Sequence, residues 1–343
     1  MERHQPGDNE VRLTLAQASE LGERALQSIG YNEEESRVIC AHLVDASACG
    51  YPFAGLPRIL TIAEHPSTRR PRKPVSITHE TEVSALLDGG NYVGYYAVHQ
   101  AAKVAIAKAR KNGFALVGMY NSQLSGRNSY YMEMIAREDL IGIHTSSASL
   151  VVAPLGGTKP ALGTNPFCIG VPSERGPVIY DIGTASIMLG ELILRSRLNE
   201  ELPPGVAVDS QGRPTVDPHA ALQGAILPFA GHKGYGLSFI IQALGLLAGA
   251  SLVPGKVPDY AFLFIVFDPG LLVPVDEFKR EVDELIARVK ATPKQPGVDE
   301  IRIPSERAFR ERDQARKEGI LVDRKMVESL QALAASPGST GKH

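Results

Sequence analysis

Gly231-His232-Lys233-Gly234-Tyr235-Gly236 packs three glycines and one lysine into six residues and runs straight into the apolar stretch Leu237 to Ala250. Glycines let a backbone pass close to a ligand, and a lysine supplies a fixed cation where a phosphate or ribose can sit. Two readings are open on these residues alone: a ligand-binding turn feeding a buried helix, and a plain helix entry. Three further clusters combine hydroxyls, amides and glycines. They are Ser122 to Ser129, Gly156-Gly157 through Leu162-Gly163-Thr164-Asn165-Pro166, and Asp181-Ile182-Gly183-Thr184-Ala185-Ser186. Each borders a predicted strand or helix, where open backbone amides and hydroxyls can meet a ligand, and each taken singly also reads as an ordinary loop. No Gly-x-Gly-x-x-Gly turn follows the first strand, so the usual dinucleotide fingerprint is absent, which does not exclude a dinucleotide. No metal site is expected. The nine histidines show no HxxxH or HExxH spacing, and the acidic residues near Asp181 and Asp259 lack a clustered partner.

The elements that must position these clusters follow from periodicity and punctuation. Thr14 before Leu15, Leu21, Ala25 and Leu26 predicts a capped helix, and Asn32 with Glu35 starts a second that reaches about Ala48. A short helix over Leu56 to Glu64 gives way to Pro66-Ser67-Thr68-Arg69-Arg70-Pro71-Arg72-Lys73-Pro74, a linker whose prolines forbid regular structure. Strands are then expected at 75–78, 83–87, 114–119, 141–144, 167–171, 178–181 and 262–267, with helices at 97–111, near 130–137, from about 187, and over 237–250. From Asp276 onward helices return, at 278–289, 306–317 and 325–333, and form a tail expected to pack back on the amino terminus. The domain reading is therefore a helical domain of 1–74 and 275–343 beside an α/β domain of 75–274. The last residues, 336–341, are expected to fray.

A chain of 343 residues with 43% hydrophobic and 22% charged residues can bury a full core. A net charge of -2 argues against a nucleic-acid or anionic-membrane footprint and for a small-molecule partner. Met1 to Gln5 hold no apolar signal core, and the 237–250 run is too short to span a bilayer. Cys40, Cys49 and Cys168 are odd in number and lack CxxC spacing, so a reducing cytoplasm is the expected compartment.

Taken in order, Leu56-Pro57-Arg58, Gly126-Arg127 with Tyr130-Tyr131, Leu140 to Ile143, Leu162 to Pro166, the Asp181 segment, Pro203-Pro204-Gly205 with Asp209, Gly212, Pro214 and Asp217-Pro218, Gly231 to Gly236, and Pro304-Ser305-Glu306 resemble the malate/L-lactate dehydrogenase family. That family also holds sulfolactate and ureidoglycolate dehydrogenases and diketogulonate and piperideine-2-carboxylate reductases, and the resemblance spans nearly the whole chain. It implies an NAD- or NADP-dependent enzyme with a non-Rossmann mixed sheet and flanking helices, assembled as a homodimer. It further implies cofactor contacts from Ser146 and Ser147, from Asp181, Ile182, Gly183, Thr184 and Ala185, from His232 and Lys233, and from Ser305 and Glu306. Leu124, Arg127, Thr164 and Asn165 fall on its substrate side.

There the pattern breaks. Where the family reads Ser-His-Gly, two residues, then Arg, this chain has Gly50, Tyr51 and Pro52 and then Gly55, and a second family histidine is Leu124. A positioned histidine contributes about 10²–10⁴-fold to a proton-coupled step, so simple 2-oxo acid chemistry would suffer. Tyr51 is the candidate replacement acid, although an unperturbed phenol near pKa ~10 is a poor proton donor at neutral pH. His42 reads as a surface helical residue and His144 as a core one. Hydride addition to C=N begins from an iminium that already carries its proton. The expected activity is therefore reduction of a cyclic imine, or of a C=O substrate larger or less acidic than simple 2-oxo acids. The alternatives are a 2-hydroxy acid or ketone dehydrogenase with Tyr51 as proton donor, and a nonredox dinucleotide-binding relative.

Overall fold

The structure is a computed structural model describing residues 9–252 and 260–336. Met1 to Gln5, Asp259 and the tail after Ser336 lie outside the described residues. Two compact units divide the chain, the first from Met1–Pro71 with Ser305–His343 and the second from Arg72–Pro304.

The first unit opens with β1 (Glu10–Leu13), α1 (Leu15–Ser28), α2 (Glu33–Ala48) and α3 (Arg58–Glu64). Both expected caps form as reciprocal boxes, Thr14 with Gln17 and Asn32 with Glu35, satisfying amides that a helix start leaves open. His42, read as a surface residue, is fully buried instead, because α2 is packed by α1 on one flank and by the carboxy-terminal segment on another. The proline-rich stretch is less irregular than its composition suggests. Pro66–Arg69 forms a 3₁₀ turn, with Pro66 at the position where a missing N–H is harmless and the His65 ring accepting from Ser67 N at 3.2 Å.

The second unit is built on a seven-stranded mixed sheet. Its elements are β2 (Ser76–Glu80), β3 (Ser84–Asp88), α4 (Gly94–Asn112), β4 (Phe114–Tyr120), α5 (Ser129–Ala136), β5 (Ile141–Ser147), β6 (Phe167–Val171), β7 (Val178–Ile182), α6 (Leu189–Leu198), β8 (Ala207–Val208), α7 (Pro218–Gln223), β9 (Ala225–Ile226), α8 (His232–Leu247), β10 (Ala261–Phe267) and α9 (Val275–Lys290). The sheet order is β2-β3-β4-β10-β5-β6-β7, with β3 and β4 parallel and the other neighbours antiparallel. The unbroken apolar run of β10, Ala-Phe-Leu-Phe-Ile-Val-Phe, sits in the middle because both its faces are covered. On one face Phe264 stacks on His144 at 4.1 Å and meets Tyr131 of α5 edge-on; on the other, Leu263 and Ile265 line an apolar cavity of about 220 Å³ under α8.

The chain then returns to the first unit through α10 (Glu306–Glu318), β11 (Ile320–Asp323) and α11 (Arg324–Ala335). Four short strands were not expected: β8 pairs antiparallel with β9 in the second unit, and β1 pairs antiparallel with β11 in the first. The α9 segment, expected in the helical domain, falls with the sheet instead: Lys279 pairs with Asp139 at 2.8 Å and Arg175 approaches Asp283 at 4.0 Å. Amphipathicity marks such a helix as packed, and does not say against which unit. Among the described residues no helix is long and apolar enough to cross a membrane.

Candidate functional site

The glycine-rich segment is not a turn before a helix; it is the helix's own first turns. Gly231, at φ 59, is the N-cap of α8, and Lys233, Gly234, Tyr235 and Gly236 are already helical. Gly234 is required by close approach, since a Cβ there would overlap Phe229 O and lie 2.9 Å from Thr184 O. Nor is α8 buried all round. His232, Lys233, Gly236, Phe239, Ile240, Ala243, Leu246 and Leu247 form one exposed stripe at helical spacing. Lys233 makes no ion pair among the described residues, and the start of α8 has no side-chain cap and no acidic residue in its first turn. Of the first α8 amides, Lys233 N and Gly234 N already donate to Ala230 O at 3.4 Å and Phe229 O at 3.1 Å, so what this helix start offers an anion is the positive end of its dipole and the exposed Lys233 ammonium.

Several of the expected cofactor and substrate residues converge behind this helix, but as its buried support. Asn165, fully buried at φ 31, donates to Ser238 O at 3.0 Å, Ser238 Oγ at 3.1 Å and Gln242 Oε1 at 2.9 Å, and accepts from Ala148 N at 3.2 Å. Thr184 donates through both N and Oγ1 to Thr164 O at 3.0 Å, and its own carbonyl accepts from Phe229 N. Ser147 Oγ accepts from Ala261 N at 3.0 Å and lies where a Cβ on Gly245 would sit, while Ser146 Oγ donates to Ser147 O. Ile182 and Gly183 remain half-buried at the end of β7, and Ala185 bridges to Pro228.

Asp181 also turns inward. Its carboxylate accepts Ser129 N and Ser129 Oγ, both at 2.7 Å, at the start of α5. Burial raises its pKa, opposed by those two bonds and by the charge of buried Arg127 nearby. These contacts make Asp181 a helix-start anchor and set Arg127 beside it. Leu124 is buried in a loop clamped by Gly94 N to Gln123 O at 2.5 Å and by Tyr131 Oη to Ser125 O at 2.8 Å. Among the described residues, only Leu124, Ala230 and Ser305 adopt positive φ without being Gly, Asn or Asp. All three lie in or beside the segments singled out by sequence, and strained backbone of this kind concentrates at functional sites. Periodicity gives no warning of it.

Tyr51, Ser305 and Glu306 belong to the first unit. Tyr51 follows the end of α2, with Gly50 at φ 76 and a 3₁₀ turn over Pro52–Ala54. The Arg307 guanidinium lies over its ring, 5.0 Å from the centroid, while Arg307 Nη1 donates to Glu311 Oε1 at 2.6 Å. Sequence reasoning missed Arg307, for no local spacing links it to Tyr51. His144 is the core residue expected: Nδ1 meets Leu263 O at 3.0 Å, and burial lowers its pKa to about 3. The three cysteines are buried free thiols, and burial pushes Cys40 up to about 12. Among the described residues no group of three or more His, Cys, Asp or Glu is placed to hold a metal ion.

Residues 13–331 match the family described as malate/L-lactate dehydrogenase. The chain belongs to that family. It is 36% identical over 322 residues to the malate/(S)-sulfolactate dehydrogenase of Methanothermus fervidus, covering 91% of this chain and 94% of that one. It is 34% identical over 341 residues to the Δ1-pyrroline-2-carboxylate reductase of Ancylobacter novellus, covering 95% and 98%. The sulfolactate dehydrogenase structure from Methanocaldococcus jannaschii superposes with a TM-score of 0.82 at 31% identity, covering 96% of this chain and 98% of that one. A malate/L-lactate dehydrogenase family member with dehydrogenases and reductases as its relatives is an oxidoreductase, and the mixed, non-Rossmann sheet is that of its structural neighbours. The family's turn-forming residues keep structural work here: Asp209 accepts from Gln211 N and Arg213 N, and Asp217 caps α7.

Proposed function

We propose that this oxidoreductase uses NAD or NADP to reduce a cyclic imine, or a carbonyl substrate larger or less acidic than simple 2-oxo acids. One observation carries the reading. The glycine-rich start of α8 is exposed and carries Lys233, whereas the family's histidines and arginine are replaced by Leu124, Tyr51 and Gly55. The residues fit a dinucleotide: a Cβ on Gly231 or Gly236 would meet nothing within 4 Å, so there is room above the helix start for a pyrophosphate. Lys233 would hold it through its ammonium, with His232 beside it and Ile182, Gly183 and Ala185 contributing backbone. Ser146, Ser147, Asp181, Thr184, Thr164 and Asn165 act mainly by fixing those elements. Ser305 and Glu306 remain proposed contacts on the family pattern. A bound reduced nicotinamide supplies hydride; an iminium substrate brings its own proton, so no histidine is needed. The similarity to a protein named Δ1-pyrroline-2-carboxylate reductase supports the C=N reading.

Steady-state assays of cyclic imines and 2-oxo acids with 4-deuterated NADH and NADPH test this directly. The expected result is deuterium in the reduced imine and turnover that survives Tyr51→Phe within about tenfold, because loss of a required acid would cost about 10²–10⁴-fold. A clear preference for pyruvate or oxaloacetate, abolished by Tyr51→Phe, would instead assign a 2-hydroxy acid dehydrogenase with Tyr51 as acid. Binding without any label transfer would assign a nonredox relative.

The partner most in keeping with the surface is a second copy of the chain. Phe239, Ile240, Leu246 and Leu247 are 42–65% exposed on one face of α8, an apolar row of a kind that isolated chains seldom leave in water. Sedimentation velocity should show a dimer that Ile240→Glu with Leu247→Glu converts to monomer. An unchanged sedimentation coefficient in the double variant would move the interface elsewhere.

A further inference from the structure

We propose that the cleft between α4 and α5 binds a nucleoside monophosphate, with His99 and Lys103 meeting the phosphate and Ile106, Ala107 and Met134 taking the base. The inference is independent of the reductase reading. The cleft holds about 860 Å³, within the size range of small-molecule sites. Both helices belong to the second unit and cover the face of the sheet that carries Phe264 and meets Tyr131, whereas α8 covers the opposite face. The cleft is therefore separate from the dinucleotide site proposed at the start of α8.

Its lining is charged out of proportion to the chain. The whole protein carries -2, yet Lys103, Arg110, Lys111 and Arg137 line the cleft against one carboxylate, Glu138. Three of these cations have a local explanation. Arg110 pairs with Glu138, Arg137 pairs with Glu133 at 2.6 Å, and Arg110 and Lys111 stand in the last turn of α4, where a helix end favours positive charge. Lys103 has none: it is exposed in the middle of α4 and has no ion-pair partner among the described residues. His99 lies one turn before it, on the same face. Its Nδ1 is buried without a hydrogen-bond partner among the described residues, a condition that native structures seldom leave unanswered. Burial lowers the pKa of this ring and the Lys103 charge lowers it further, so it stands neutral beside an unpaired ammonium. A phosphate arriving there would accept from the ammonium and, by its own charge, favour a second proton on the ring. Ile106 and Ala107 on the next turn of α4, with Met134 of α5, add an apolar, polarizable wall that suits a planar base and offers nothing to a bare anion.

The test uses the full chain with isotope-labelled histidine rings read by NMR, the His99 signal being the one absent from His99→Gln. AMP should shift that signal saturably and raise the pKa of the ring. Adenosine and inorganic phosphate, each offering one half of the ligand, should do so at least about tenfold more weakly. Lys103→Ala should weaken AMP by about tenfold with the melting temperature unchanged, because the side chain is exposed, and Lys103→Arg should keep most of the affinity. Lys233→Ala should leave the His99 response as it is. The proposal fails if AMP up to about 10 mM leaves the His99 signal in place, or if Lys103→Ala does not weaken the response. It fails if Lys233→Ala removes the response, which would place the nucleotide at α8. It fails equally if phosphate alone matches AMP, which would make this a site for a bare anion, or if adenosine does, which would leave Lys103 without a role.

Discussion

Replacing Asn165 with alanine is expected to lower folding stability by about 3–5 kcal/mol, because it strips partners from buried Ser238 and Gln242 and from half-buried Ala148 at once. The side chain serves Ser238, Gln242 and Ala148 from a position with no solvent exposure. Each buried group left without its partner costs about 1–3 kcal/mol, and no water can reach the site to compensate without a cavity opening. Urea unfolding followed by far-UV circular dichroism measures the loss. Ser238→Ala, which removes one of these contacts, should lose a fraction of it. Sequence placed Asn165 on the substrate side, and the same variant decides between the two roles. Unchanged stability with a raised KM would restore substrate contact and reject the clamp.

Acid should destabilise the fold through His144. The ring is fully buried, stacked 4.1 Å from Phe264, and its Nδ1 faces the Leu263 carbonyl, so Nδ1 carries the proton and Nε2 is the basic nitrogen. Nε2 has no hydrogen-bond partner, and a second proton would put an uncompensated charge in the core. Burial accordingly lowers the folded pKa to about 3, from an unfolded value near 6.5. Between those limits the unfolded chain binds a proton that the folded chain refuses. Stability is thus fully present above about pH 6.5 and falls as pH drops towards 3, by about 1.4 kcal/mol per unit, or roughly 2–3 kcal/mol by pH 4.5. Asp181 works in the opposite sense, its raised pKa giving stability at low pH that is lost as pH rises through the folded value. The difference between wild type and His144→Phe isolates the histidine. Parallel stability–pH curves for the two, or an imidazole titrating near pH 6.5 by NMR, would reject the argument.

The boundaries of the elements were legible where local chemistry decides them. Thr14 and Asn32 announce helix starts because a short side chain can reach an amide two or three residues ahead, and the alternation of β6 and the apolar run of β10 follow from which faces must leave water. The polar clusters were legible as places where something is bound, and family resemblance supplied the order in which they act. Their orientation was not. Asn165, Thr184, Ser147 and Asp181 read as ligand contacts by type, yet their side chains face inward and tie α8, β5, β7 and α5 together.

By itself the sequence determined the helix caps, the α/β rhythm, the glycines at the start of α8 and the loss of the family's histidines and arginine, since each is stated by residue type within a few positions. Only the tertiary structure decided that His232 and Lys233 are exposed while Gly234 is buried, that β1 closes on β11, and that Arg307 lies over Tyr51. These depend on register between segments far apart in the chain, and a hydrogen bond or ring contact responds to fractions of an ångström that local pattern does not encode.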